Sequence, residues 1–167
     1  MIVVSDTTPI ISLILIEQLE LLEKLFHNVY IPMGVYEELT EHPLYSMQSE
    51  TVKNCSFIKP VSVKDLKSVD IFRKATGLDK GESEAIVLSE EINADILLMD
   101  EKKGRKIATQ MGLTITGTLG ILLNAYKENM IAQNEIINCV DKLKNNKIYI
   151  SDYLHNAVLL KIHENNL

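Results

Sequence analysis

Residues Gly81 to Met111, GESEAIVLSEEINADILLMDEKKGRKIATQM, read as helix, strand, helix, and the rest of the chain is placed around them. Asp79-Lys80-Gly81-Glu82 has the form of a capping box, an acidic N-cap answered by a Glu three residues on. Ala85, Leu88, Ser89 and Ile92 follow at the i, i+3, i+4, i+7 spacing of a buried helical stripe. The run Ile96-Leu97-Leu98-Met99 has no polar alternation, the pattern of a strand covered on both faces of a parallel sheet. Asp100 closes that strand. In open α/β sheets the carboxyl ends of the strands border the ligand crevice. Glu82 or Glu84 at the helix start and Asp100 at the strand end are therefore expected to share one crevice, where paired carboxylates suit a hard cation.

Working outward, residues 2–5 (IVVS) form a short apolar strand that ends at Asp6. Thr7-Thr8-Pro9 opens a buried helix, with Thr as N-cap and Pro in the first turn. A second helix is expected from about Ile16 to Phe26. Asn28 to Pro32 reads as the second strand, and Gly34 to Leu39 begins the helix after it. Residues 42–52 show no period and read as a loop. Phe57 to Val61 is weakly strand-like, and Lys64 to Ala75 is helical. Beyond the central stretch, Gly112 suits a helix C-terminus, Leu113 to Ile115 is a strand, and helices are expected over residues 118–127 and Asn134 to Leu143. Lys147 to Ile150 reads as a strand or extended segment, followed by a helix capped by Ser151. Alternating strands and helices predict one α/β domain over residues 1–167 with a mostly parallel sheet. Its core spans 1–127, with a helix-strand-helix extension over 128–167.

Composition narrows the class. The chain has 167 residues, of which 46% are hydrophobic and 24% charged, the balance of a globular domain rather than a disordered one. No apolar run approaches the roughly 20 residues of a membrane span, and the N-terminus lacks the basic leader of a signal peptide. Cys55 and Cys139 have no metal-ligand spacing, so a reduced, cytoplasmic protein is expected. The net charge of −6 means that any nucleic-acid-binding face must be local. Lys102, Lys103, Arg105 and Lys106, just after Asp100, are the basic cluster available, unless they simply form a solvated helix face.

Four positions place an acid where a strand ends or the next helix begins: Asp6, Glu37 or Glu38, Glu82 or Glu84, and Asp100. Right-handed crossovers gather these edges on one side of the sheet. Carboxylates with room for water suit Mg²⁺ or Mn²⁺, and such a cation activates water and polarises a phosphoryl group. Each acid also has a plainer role: Asp6 as a helix cap, Glu37 and Glu38 on a solvated face, Glu82 within the capping box. Glu82 and Glu84 lie about 200° apart around a helix, so both cannot enter one site. Asp100, directly after four apolar residues, needs a partner or a function.

With these residues in view, the chain resembles the PIN-domain family, in the small prokaryotic subgroup often encoded beside an antitoxin. The resemblance rests on Ser5 to Pro9, Ile31-Pro32 through Leu39, Leu78 to Ile86, Leu97 to Glu101 with Arg105, and Thr116 to Gly120, in the family's order. It implies a Rossmann-like three-layer α/β/α sandwich, a Mg²⁺ or Mn²⁺ site, and cleavage of single-stranded RNA. Carried over by position, the site acids are Asp6, Glu38, Glu84 and Asp100. Of these, Asp6, Glu84 and Asp100 would hold the metal, and Glu38 would ligate it or orient water. Thr7 would support a ligating carboxylate, and Lys102, Lys103 and Arg105 would guide RNA. Glu37 against Glu38, and Glu82 against Glu84, stay open. The implied partners are a small antitoxin protein and a second copy of the chain, the latter also suggested by the apolar surplus of Ile10 to Ile16 with Leu19 and Leu22. A catalytically inactive PIN-like module that binds nucleic acid or protein is the second reading. A phosphatase or receiver-like domain fits less well, because Thr8 stands where a phosphatase would carry its second Asp.

Overall fold

The computed structural model describes residues 1–146 together with 148, 156, 158 and 160. Five parallel strands form one sheet in the order β3-β2-β1-β4-β5: β1 (Val3–Ser5), β2 (Val29–Pro32), β3 (Ile58–Val61), β4 (Ile96–Leu98) and β5 (Ile115–Thr116). The chain winds outward from β1 to β3, then crosses back so that β4 pairs with β1, aligning Ser5 with Leu98. That reversal between β1 and β4 is the switch point where doubly wound sheets bind ligands. Both Asp6 and Asp100 leave the sheet there.

Strand residues alternate between two cores. Val3, Ile31 and Leu98 face one, while Val4, Leu97 and Met99 face the other. The first core is covered by α1 (Thr7–Leu15), α2 (Glu20–Phe26), α3 (Met33–Glu41), α4 (Ser46–Lys53), α8 (Thr118–Lys127) and α9 (Gln133–Asn145). The second is covered by α5 (Leu66–Thr76), α6 (Lys80–Glu91) and α7 (Lys102–Gln110). The result is the expected three-layer sandwich, with apolar strands because both faces are covered.

Helix α1 shows packing overriding propensity. Its β-branched isoleucines each cost at most about 0.7 kcal/mol relative to Ala in a helix, whereas fully burying one such side chain is worth roughly 1.5–3 kcal/mol. Ile10 and Leu13 are completely buried. Ile16, Leu19 and Leu22 are buried too, within the chain's own core. The apolar surplus that suggested a second copy is thus absorbed by the monomer and gives no argument for a dimer.

Two sequence expectations differ from the structure. Residues 42–52, read as a loop, form a 3-10 turn (Pro43–Tyr45) and then α4. Only Ser49 and Val52 of α4 are buried, too narrow a stripe to register as a period. The second helix begins at Glu20 rather than Ile16, because Glu17 takes a positive φ of 60° that breaks the chain away from α1. The expected strand at Lys147 to Ile150 and the Ser151-capped helix fall largely outside the described residues. Val158, in that region, is buried in the first core.

Candidate active site

Asp6 is the N-cap residue of α1 by position, yet its side chain makes no capping hydrogen bond. It sits 4% exposed beneath the carboxyl edge of the sheet, with its backbone N–H donating to the Leu98 carbonyl at 3.0 Å. Burial, and after it the negative charges of Asp79, Glu82 and Glu38, push its carboxyl up to about 7, while the Thr7 amide offsets part of the shift. Three further acids therefore act on Asp6.

Glu38 reaches the cluster from the middle of α3. Its Oε2 accepts a 2.6 Å hydrogen bond from the Thr7 hydroxyl, which fixes the carboxylate beside the start of α1. Glu37, one residue earlier, faces outward and is 3.6 Å from Lys80 Nζ. Adjacent helical residues point about 100° apart, so the structure separates this pair and brings Glu38 inward.

The second pair separates as well. The α6 capping box is complete: Glu82 N–H donates to Asp79 Oδ1 at 2.8 Å, and Asp79 N–H donates to Glu82 Oε2 at 2.9 Å. This uses one Glu82 oxygen. The other, Oε1, is buried with no hydrogen-bond partner among the described residues, in a side chain only 7% exposed. Burial raises the Glu82 carboxyl above its usual range, with Asp79 and Glu101 adding like charge and Lys103 opposing it. Glu84 turns elsewhere. Its Oε2 accepts from Gly34 N–H at 2.8 Å and its Oε1 is 3.7 Å from Lys80 Nζ. Gly34 leaves room for that contact, since a Cβ there would fall 2.5 Å from the Glu84 oxygen and the carboxylate would have to shift. Gly81 lies between α3 and α1, where an added Cβ would stand 3.4 Å from Glu38 Oε2 and 3.6 Å from Asp6 Oδ1.

Asp100, at the end of β4, is held by the start of α8. Thr118 N–H donates to its Oδ1 at 2.8 Å and the Thr118 hydroxyl to its Oδ2 at 2.5 Å. Burial still raises its carboxyl above the normal range, against these two bonds and the charge of Arg105. Arg105 is half-buried and donates to the Met99 carbonyl at 2.7 Å. Of the basic cluster, Lys103 donates to the Gly77 carbonyl at 2.8 Å, and Lys102 and Lys106 stand exposed with no acidic partner among the described residues.

Asp6, Glu38, Asp79 and Glu82 thus form one electrostatically coupled group, Asp100 stands at the neighbouring strand end on its own hydrogen bonds, and Glu84 is engaged on α3. The sequence reading treated Asp79 only as a cap and gave Thr118 no role. A groove of about 500 Å³ lined by Glu37, Glu38, Glu41, Asp79 and Gly81 opens beside the group. A larger cavity of about 810 Å³, at the α8–α9 turn, contains none of these acids and carries a single carboxylate, Glu135.

The donor set is all oxygen, it is short of positive charge, and it leaves the buried Glu82 Oε1 unpaired. These features fit a hard divalent cation. Among the described residues, no three His, Cys, Asp or Glu side chains already stand together as a metal-ligating group.

An all-parallel, doubly wound sandwich with acids gathered at its switch point is the architecture of a nuclease-like PIN fold. Residues 2–164 match the family described as DUF3368: PIN domain, and the chain belongs to that PIN-domain family. No curated protein matches the chain.

Proposed function

We propose that the protein is a metal-dependent endoribonuclease that cleaves single-stranded RNA, acting in the cytoplasm as the toxin of a toxin–antitoxin pair. The observation that carries this reading is the carboxylate group around the buried Asp6, whose carboxyl is pushed up to about 7 and whose buried neighbour Glu82 keeps an oxygen unpaired. A structural role would not leave several acids repelling one another at the one sheet edge where this fold binds ligands.

In this reading Asp6, Glu38 and Glu82 hold Mg²⁺ or Mn²⁺, with Asp100 contributing from β4. Glu82 is preferred to Glu84 because its charge acts on Asp6 and its Oε1 is unpaired, whereas Glu84 is absent from the acids that act on Asp6 and is held by Gly34 and Lys80. The cation, when bound, supplies Lewis-acid charge that neutralises the scissile phosphodiester and makes water a better nucleophile. Thr7 holds the Glu38 carboxylate, and Thr118 holds that of Asp100, so both acids keep their aim without rotamer search. Glu38 lines the open groove and, in this reading, would accept the proton of the attacking water. An antitoxin and a second copy of the chain are the proposed partners, and light scattering of the purified protein tests the second.

Incubating purified protein with a mixed-sequence single-stranded RNA in Mn²⁺ tests the proposal. Cleavage by the wild type that is lost in EDTA, and lost in both Asp6→Asn and Asp100→Asn, is the expected result. RNA left intact by the wild type in Mg²⁺ and Mn²⁺ would favour the inactive binding module, and cleavage surviving Asp6→Asn would place the activity elsewhere.

A further inference from the structure

The surface around the carboxylate group is electrically lopsided. On the α3 side, the groove beside it is lined by Glu37, Glu38, Glu41 and Asp79, with Lys80 tied between Glu37 and Glu84. A polyanion has no favourable approach there. On the other side, at the C-terminal end of α5, a second groove of about 390 Å³ is lined by Asp70, Arg73, Lys74, Gly77 and Leu78. Arg73 and Lys74 are exposed, and neither forms an ion pair among the described residues, even with Asp70.

Three further observations tie this groove to the acids. Lys103 of α7 donates to the Gly77 carbonyl at 2.8 Å, which sets a third base beside one of the groove's lining residues. Gly77 takes φ +65°, ending α5 so that the chain turns directly into Leu78 and Asp79. Two residues span at most about 7 Å, so the basic groove ends where the capping box begins. Lys103 is also close enough to lower the Glu82 carboxyl.

We propose that Arg73 and Lys74 of α5, with Lys103, form a backbone-binding groove through which single-stranded RNA reaches the carboxylates from the α5–α7 side. This rests on the ribonuclease reading for its substrate. The bases bind phosphate without reading sequence, and they supply the local positive field that a protein of net charge −6 otherwise lacks. Lys102 and Lys106, exposed on α7, extend the same field.

Fluorescence anisotropy with a fluorescein-labelled single-stranded RNA, in EDTA so that nothing is cut, tests the groove across about 50–200 mM salt. Arg73→Ala/Lys74→Ala is expected to weaken binding roughly tenfold and to flatten the slope of log K against log salt by about 1.4, the value for two single-strand phosphate contacts. The control Lys24→Ala/Lys53→Ala removes two bases already paired with Glu20 and Glu50, and leaves binding and slope unchanged. Equal effects of both double variants, no effect of the first, or a wild type that does not bind RNA would each overturn the proposal. The two readings fail separately. Binding through Arg73 and Lys74 without cleavage in Mn²⁺ removes the nuclease and keeps the groove. Cleavage with KM unchanged in Arg73→Ala/Lys74→Ala removes the groove and keeps the nuclease.

Discussion

Asp6 is held in the folded chain at a cost. Its carboxyl rises from 3.8 to about 7 on folding, so ionising it opposes folding. Without metal, stability is therefore greatest below about pH 4, falls as the pH climbs towards 7, and is flat above that in respect of this group. Asp6→Asn removes the opposing charge and is expected to raise the metal-free Tm, by roughly 2–4 °C for each kcal/mol relieved. Thermal melts at pH 5 and pH 8, with wild type and variant side by side, check both signs. Thr118 makes the converse case. Thr118→Val deletes the hydroxyl donor to a half-buried carboxylate and is expected to cost about 1–2 kcal/mol in denaturant unfolding, whereas Thr118→Ser keeps most of it. At this scale the sequence was informative about position and silent about direction. Asp6 and Asp100 were legible because a charge directly after buried strand residues is expensive without a purpose. The different surroundings of Glu82 and Glu84 were not, because they depend on which helix each side chain meets, and Gly34 engages Glu84 from fifty residues away.

The elements that carry these residues are set by a few local contacts. The α6 capping box was readable as Asp79-Lys80-Gly81-Glu82, since its residues and spacing encode the two reciprocal bonds. Asp79→Ala should cost about 1 kcal/mol through the lost cap, and it should also relieve some of the charge on Asp6. The α7 helix packs against this corner through Gly104, where an added Cβ would collide with Met99 Sδ and come within 3.2 Å of Glu82 Oε1. Gly104→Ala is expected to destabilise by about 1–3 kcal/mol and to displace Glu82, read as lowered stability together with weakened Mn²⁺ binding. The apolar run of β4 and the buried character of α1 were plain from composition. The α4 helix was not, because a mostly solvated helix carries no apolar rhythm to find.

For the molecule as a whole, the strand order explains why acids far apart in sequence converge. Winding outward from β1 and returning through β4 puts Asp6 and Asp100 just past the ends of adjacent strands, and α3 and α6 bring Glu38, Asp79 and Glu82 over the same edge. The parallel α/β class followed from alternating elements and unbroken apolar strands. The partition of charge between the α3 and α5 sides did not, since Arg73 and Lys74 look like ordinary surface bases until Gly77 and Lys103 place them. The same convergence predicts a linkage between metal and protons. A cation bound beside Asp6 favours its ionised form, so binding near pH 7 should release about half a proton. Calorimetric titration of Mn²⁺ into the wild type and Asp6→Asn, repeated in buffers of different ionisation enthalpy, measures this directly. A single site with proton release in the wild type, absent in Asp6→Asn, is the predicted result. No Mn²⁺ binding, or binding with the same heat and proton count in both proteins, would contradict a cation site at Asp6.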